Sequence, residues 1–146
     1  FGSHCAGIAS HSKYRTTITL APGAMSRLRR LKIYLAGPMR GIPEFNFPAF
    51  YAAATTLRAA GHTVFSPAER DNTKHGTDIS KGNAAGDEQL AARQYGFSLR
   101  EALHADTAWI CEHGEAIFLL PGWEKSTGAT AERALGIALG LEIVEL

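Results

Sequence analysis

The chain is short of nearly everything that assigns a protein quickly. It has two cysteines, Cys5 and Cys111, too few for a disulfide framework. Free buried thiols in a reducing cytosol are therefore expected. Its six histidines are scattered, with no pair at metal-ligand spacing on a recognisable helix or hairpin, so no metal site is expected. Neither sign of charge dominates: 15 Lys and Arg face 14 Asp and Glu, which leaves no global field to draw nucleic acid or a membrane surface. Apolar runs stop at strand length, too short for a transmembrane helix. No internal repeat or second domain is visible, and no motif asks for a cofactor.

What is present suits one domain, a single sheet covered by helices. Residues 1–24 mix Gly, Ser, His and Thr without periodicity. They read as a flexible appended or upstream extension, with Met25 as the natural start and residues 25–146 as the domain; Thr16–Leu20 adds at most a local strand. Leu31–Ala36 is an apolar run suited to a strand buried on both faces. Asn46 is placed to cap a helix with Phe47 and Pro48 in its first turn, which runs through an alanine-rich stretch to Gly61. His62–Ser66 is a second strand, closed by Pro67. Asp71–Gly86 is rich in Asn, Gly, Asp and Lys and reads as a long exposed loop. Ser98-Leu99-Arg100-Glu101 is a capping box that opens a helix ended by Gly114. Ala116–Leu120 is a third strand, about Thr130 to Leu139 a last helix, and Glu142–Leu146 a fourth strand. This alternation predicts an α/β domain: a three-layer, flavodoxin-like (Rossmann-like) parallel sheet of strand order 2-1-3-4, with right-handed crossovers.

Three places hold residues out of keeping with a purely structural role. Asp106 shares the apolar stripe of Leu99, Leu103, Trp109 and Ile110. A carboxylate there is costly unless it is paired or opens onto a polar cavity. It is either a partly exposed acid bonded to a backbone N–H or an acid facing a cleft. Glu132 falls in the first turn of the last helix, with Thr130 as the N-cap. It either complements the helix dipole or is a carboxylate nucleophile kept ionised by that environment, with Gly128 and Gly136 leaving space beside it. Gly37-Pro38-Met39-Arg40-Gly41 follows the first strand. It is either a tight strand exit or a loop whose N–H groups and Arg40 fork receive an anion. It is neither a dinucleotide fingerprint nor a P-loop. Trp123, Phe45 and Phe47 are placed either to stack on a ligand or simply to pack.

Taken in order, Tyr34-x-x-Gly37-Pro38-x-Arg40-Gly41, Asp106-x-x-Trp109 and Ser126-x-Gly128-x-x-x-Glu132 resemble the nucleoside 2-deoxyribosyltransferase-like superfamily over roughly Leu31 to Leu146. The chain is most similar to a small branch common in phages and prophages, which shares Asn46-Phe47-Pro48-Ala49-Phe50 and Pro121-Gly122-Trp123-Glu124. The resemblance implies cleavage of the N-glycosidic bond of a nucleoside or nucleotide. Glu132 then corresponds to the nucleophile, Asp106 to the carboxylate that helps protonate the departing base, and Tyr34 to a tyrosine that holds the nucleophile. Gly37, Pro38, Met39, Arg40, Gly41, Ser126 and Gly128 are placed to bind the substrate and its phosphate.

Members acting on free nucleosides carry an acid six residues before the nucleophile, whereas 5′-monophosphate hydrolases carry a serine. Here that residue is Ser126. A nucleoside 5′-monophosphate N-glycosidase is the reading this favours. A base-exchanging transferase and a non-catalytic nucleotide-binding module are the alternatives, with a structural protein that merely kept the fold behind them. The expected partner is a small-molecule nucleotide or nucleoside, without cofactor, metal, nucleic acid or membrane, in the cytoplasm. A homodimer is expected too, because Phe50, Tyr51 and Trp109 look like more apolar surface than one sheet face needs.

Overall fold

The structure is a computed structural model and describes residues 29–146. The extension at 1–24, the strand at Thr16–Leu20, the start at Met25 and Cys5 lie outside the described residues. Four strands form one all-parallel sheet: β1 (Lys32–Ala36), β2 (Thr63–Phe65), β3 (Ala116–Leu119) and β4 (Glu142–Glu145), in the order β2-β1-β3-β4. Around it pack α1 (Phe47–Ala59), α2 (Pro67–His75), α3 (Glu88–Tyr95), α4 (Leu99–His113) and α5 (Thr127–Ala138). The flavodoxin-like, three-layer arrangement with order 2-1-3-4 is thus the fold. No helix among the described residues is long and apolar enough to cross a membrane.

The period-2 alternation of β1 divides the core. Ile33 and Leu35 join Phe47, Phe50, Ala54 and Leu57 of α1 on one face. Tyr34 and Ala36 join Ile110 of α4 and Ala129 of α5 on the other. Because β1 and β3 are neighbours whose onward connections diverge, their carboxyl ends border the crevice where open α/β sheets bind ligands.

Several local expectations are corrected. Asp71–Gly86 is not a long exposed loop: α2 occupies Pro67–His75, and Asp71, Ile79, Ser80 and Asn83 are buried. This helix escapes pattern reading because its sequence, PAERDNTKH, has almost no apolar period. The segment after it is tied down rather than loose. Asn83 and Asp87 exchange two bonds of 2.8 Å, the Asn83 carbonyl accepts from the Glu44 N–H at 2.9 Å, and the Gly86 carbonyl accepts from the Gly41 N–H at 3.0 Å. The last helix starts at Thr127, not near Thr130, since Ser126 caps it by accepting from the Ala129 N–H at 3.2 Å. Gly136 leaves no space beside Glu132. It is where α5 lies directly on the sheet, as a Cβ there meets Ile117 Cδ1 at 2.4 Å.

Phe50 is fully buried, Tyr51 is half-buried with its hydroxyl 2.5 Å from Asn72 Nδ2, and Trp109 stacks on Phe65 at 5.0 Å. Phe50 therefore offers no apolar surface for a dimer, and Tyr51 and Trp109 offer only part of theirs. Cys111 is free, as expected, but exposed rather than buried.

Glu44, Phe45 and Asn46 form a consecutive left-handed turn, with φ of 53°, 50° and 59°. Such a run costs roughly 1–2 kcal/mol per residue. It is held by the Asn83–Glu44 bond, by burial of Phe45, and by the Asn46 Nδ2 donating to the Pro38 carbonyl at 3.0 Å. Asn46 occupies the N-cap position of α1, yet its side chain spends itself on the strand exit instead of on the helix.

The clamp between Gly86 and this turn is testable. A Cβ at Gly86 lands 2.3 Å from the Ile42 carbonyl oxygen, whereas Gly82, also at positive φ, faces open space. Gly86→Ala should lower the unfolding free energy in urea by roughly 2–4 kcal/mol, combining backbone strain with a clash against main chain. Gly82→Ala should cost only about 1 kcal/mol.

Candidate active site

Alternation along β1 sends the Tyr34 side chain towards α4 and α5, where it is fully buried. The ring is fixed between neighbours, stacked on Phe65 at 5.6 Å and tilted against Trp109 at 6.4 Å. Its hydroxyl reaches Glu132 of α5 and donates to Oε1 at 2.7 Å. Asp106 of α4 stands close to the same hydroxyl, which favours its anion too. Three residues far apart in the chain thus meet above the carboxyl end of β1.

Position removes one reading of each acid. Asp106 is 5% exposed and lines a cavity, so it is not an acid at the edge of a stripe. On α4 it shares the inward row with Ala102 and Ile110, while Leu99, Leu103 and Trp109 are half-buried. Glu132 is 7% exposed and lies beyond the first turn of α5, whose cap is Ser126. It does no capping. The cavity holds about 590 Å³, a volume suited to a small molecule.

Burial dominates the electrostatics of the acid pair. Desolvation pushes Glu132 up to about 8, with the Asp106 charge adding to it and the Tyr34 bond opposing it. Desolvation also pushes Asp106 up to about 7, opposed by Arg70 and reinforced by Asp71. The Asp106 charge makes Glu132 harder to ionise, and both acids are held above the usual carboxylate range. Tyr34 is raised well above its usual range, first by burial and then by Glu132 and Asp106, and it remains a proton donor.

The cavity gathers the residues picked out in the sequence. Gly37, Pro38, Met39, Arg40, Ser126, Gly128, Asp106 and Glu132 all line it. Gly41 does not. Its N–H is committed to the Gly86 carbonyl and its φ is +75°, so it turns the chain instead of facing a ligand. Gly37 is needed for close packing, since a Cβ would come within 2.8 Å of Leu120 Cβ. Arg40 is exposed at the mouth, only loosely paired with Glu88 at 3.5 Å. Phe45 and Phe47 are core residues whose edges reach the cavity, whereas Trp123 is outside it, under the Arg133 guanidinium at 4.9 Å.

The sequence reading missed Arg70, Asp71, Ile79, Phe97 and Lys125, which also line the cavity. Four of these lie on α2 or the segments after it, which lack a hydrophobic period. Lys125 had a signal, being adjacent to Ser126. Among the described residues no group of three or more His, Cys, Asp or Glu is placed to hold a metal ion.

Fold and cleft together define a flavodoxin-like α/β domain with a desolvated carboxylate pair at the carboxyl edge of its sheet. The chain belongs to the family described as domain of unknown function DUF4406, whose model matches residues 31–145. No curated protein and no solved structure matches it.

A carboxyl raised by burial favours folding at low pH. Its contribution is complete below the unfolded value and is lost as pH rises through the folded one. For Glu132 that window runs from 4.5 to about 8. Glu132→Gln keeps an acceptor for Tyr34 and removes the charge. It should therefore raise the melting temperature at pH 8, by a stability gain on the order of a few kcal/mol, and change it little at pH 5. Thermal melts at both pH values check this; equal effects contradict it.

Proposed function

We propose that this chain is an N-glycosidase of the nucleoside 2-deoxyribosyltransferase-like kind, hydrolysing (2′-deoxy)nucleoside 5′-monophosphates to a free base and a sugar 5-phosphate. The observation that carries the reading is the buried Tyr34–Glu132 bond of 2.7 Å, with Glu132 and Asp106 lining one cavity. Tyr34 holds one carboxylate oxygen and leaves the other to attack the anomeric carbon. The C–N bond breaks as the base takes a proton from Asp106, giving a glycosyl ester on Glu132. Water then loses a proton to Asp106 and displaces Glu132, restoring both groups. This is the two-carboxylate logic of retaining glycosidases. The cationic character that develops on the sugar is stabilised by a fixed anion in a water-poor site.

Arg40, Lys125 and the Ser126 hydroxyl at the cavity mouth support a 5′-phosphate. The preference for deoxyribose rests on the resemblance alone, as does a cytoplasmic setting. Transfer to a second base instead of water uses the same steps. One observation favours a non-catalytic nucleotide-binding module: Glu132 is pushed up to about 8 and is mostly protonated at neutral pH unless Asp106 takes the proton.

Product analysis separates these readings. Incubation with a panel of nucleotides and nucleosides should release base from 5′-monophosphates and leave nucleosides largely intact. Glu132→Ala should lower the rate by on the order of 10⁴-fold or more. An intact nucleotide after long incubation favours the binding module, and base exchange on nucleosides favours the transferase. Full activity in Glu132→Ala ends the mechanism.

A homodimer remains part of the proposal through the resemblance only, since the apolar groups first invoked for it are wholly or partly packed inside the subunit. Light scattering at micromolar concentration should give twice the chain mass; a monomer removes the dimer.

A further inference from the structure

Asp71 and Arg70 of α2 reach the same cavity as the acid pair. Neighbours in sequence on a helix do not ordinarily face one another, yet Arg70 Nη2 comes within 2.9 Å of Asp71 Oδ1. The same nitrogen lies 3.4 Å from Asp106 Oδ1. Neither contact has hydrogen-bond alignment, and Asp71 Oδ1, Asp106 Oδ1 and Arg70 Nη2 are all buried. One buried guanidinium is therefore shared, unequally, by two buried carboxylates. The nearer and better-paired of them is the one that plays no part in the chemistry proposed above.

We propose that Asp71 is a positioning residue for the acid: by drawing the Arg70 charge onto itself, it leaves Asp106 free to carry the proton that the departing base receives. The role rests on the glycosidase reading, because only there must Asp106 be the protonated partner and Glu132 the anion. The charged and titratable groups facing Asp106 pull in both directions. Arg70 from α2 favours its anion, Asp71 from α2 opposes it, Glu132 from α5 competes for the same proton, and the Tyr34 hydroxyl from β1 bonds to Glu132. Burial raises Asp71 above the usual carboxylate range, and the Arg70 charge beside it is the largest influence in the opposite direction. With Asp71 neutral, Arg70 has one carboxylate left to pair with. That pairing favours the Asp106 anion further and pushes the shared proton towards Glu132, which disarms acid and nucleophile together.

The test reads Asp106 directly. The carboxyl carbon of Asp106 is followed by NMR across pH in protein carrying ¹³C-labelled aspartate, with its signal assigned by Asp106→Asn and folding of each variant checked first by circular dichroism. Asp71→Asn removes the competing anion and should move the Asp106 midpoint down by about one to three pH units, the span expected for a carboxylate left alone with a nearby guanidinium. Arg70→Gln should move it up. A pair whose charges do not act on Asp106 gives no such opposed shifts.

An Asp71→Asn midpoint that stays in place or rises overturns the proposal, as does an Arg70→Gln midpoint that falls or stays, which keeps the test open should Asp71→Asn fail to fold. In the activity assay, the alkaline limb of the pH–rate profile should move to lower pH in Asp71→Asn. Opposed midpoint shifts without base release retain the electrostatic arrangement and refute the glycosidase reading. Base release with unmoved midpoints does the reverse.

Discussion

Three carboxylates, one guanidinium and one phenol are enclosed at the carboxyl edge of this sheet, and the cost of removing charge from water governs how they are arranged. Glu132, Asp106 and Asp71 are each less than a tenth exposed, and burial is the first cause of the upward shift in all three. A free carboxylate in such a place is intolerable unless it is paired, bonded or protonated. Tyr34 bonds to Glu132, and the Arg70 guanidinium stands between Asp71 and Asp106, nearer to Asp71. Both Asp106 and Glu132 are therefore held well above the usual carboxylate range.

The rest of the fold serves that enclosure. β1 sends Tyr34 to the α4 and α5 side and Leu35 to the α1 side, so one strand anchors both the acid site and the opposite core. Ser126 starts α5 early enough for Glu132 to project inward beyond the first turn. The left-handed turn at Glu44–Asn46 and the segment around Asn83–Gly86 hold one another through main-chain bonds, and Phe45 closes the cavity from that side. Strain of this kind persists only where the surroundings over-determine it, and it gathers at functional sites. Gly86 has a specific reason to be glycine here: any Cβ would strike the Ile42 carbonyl.

Alternating strand and helix patterns, together with glycine, proline and serine at element ends, were enough to predict the parallel sheet and its strand order. They act locally, and local signals survive in a linear sequence. Asp106 and Glu132 were legible as candidates from the helices that carry them, Tyr34 and Ser126 only through the family resemblance. The capping box at Ser98 was read correctly as a helix start, although Glu101 turns outward to pair with Lys74 instead of closing the box.

What the sequence could not supply depended on contacts between distant segments. α2 has no apolar stripe and is helical because Pro67, Ala68 and Asp71 are buried against the neighbouring layers. The burial of Ile79 and Asn83, the outward face of Cys111 and the inward packing of Phe50 and Trp109 follow from where helices land on the sheet. A charge pattern likewise names acids and bases without saying which will share a cation. By itself the sequence determined the fold class and the order of the main elements, because propensity and periodicity are written in near neighbours. Only the tertiary structure decided that Arg70 lies between Asp71 and Asp106, and that Tyr34 reaches Glu132, because desolvation and charge sharing exist only once the chain has excluded water.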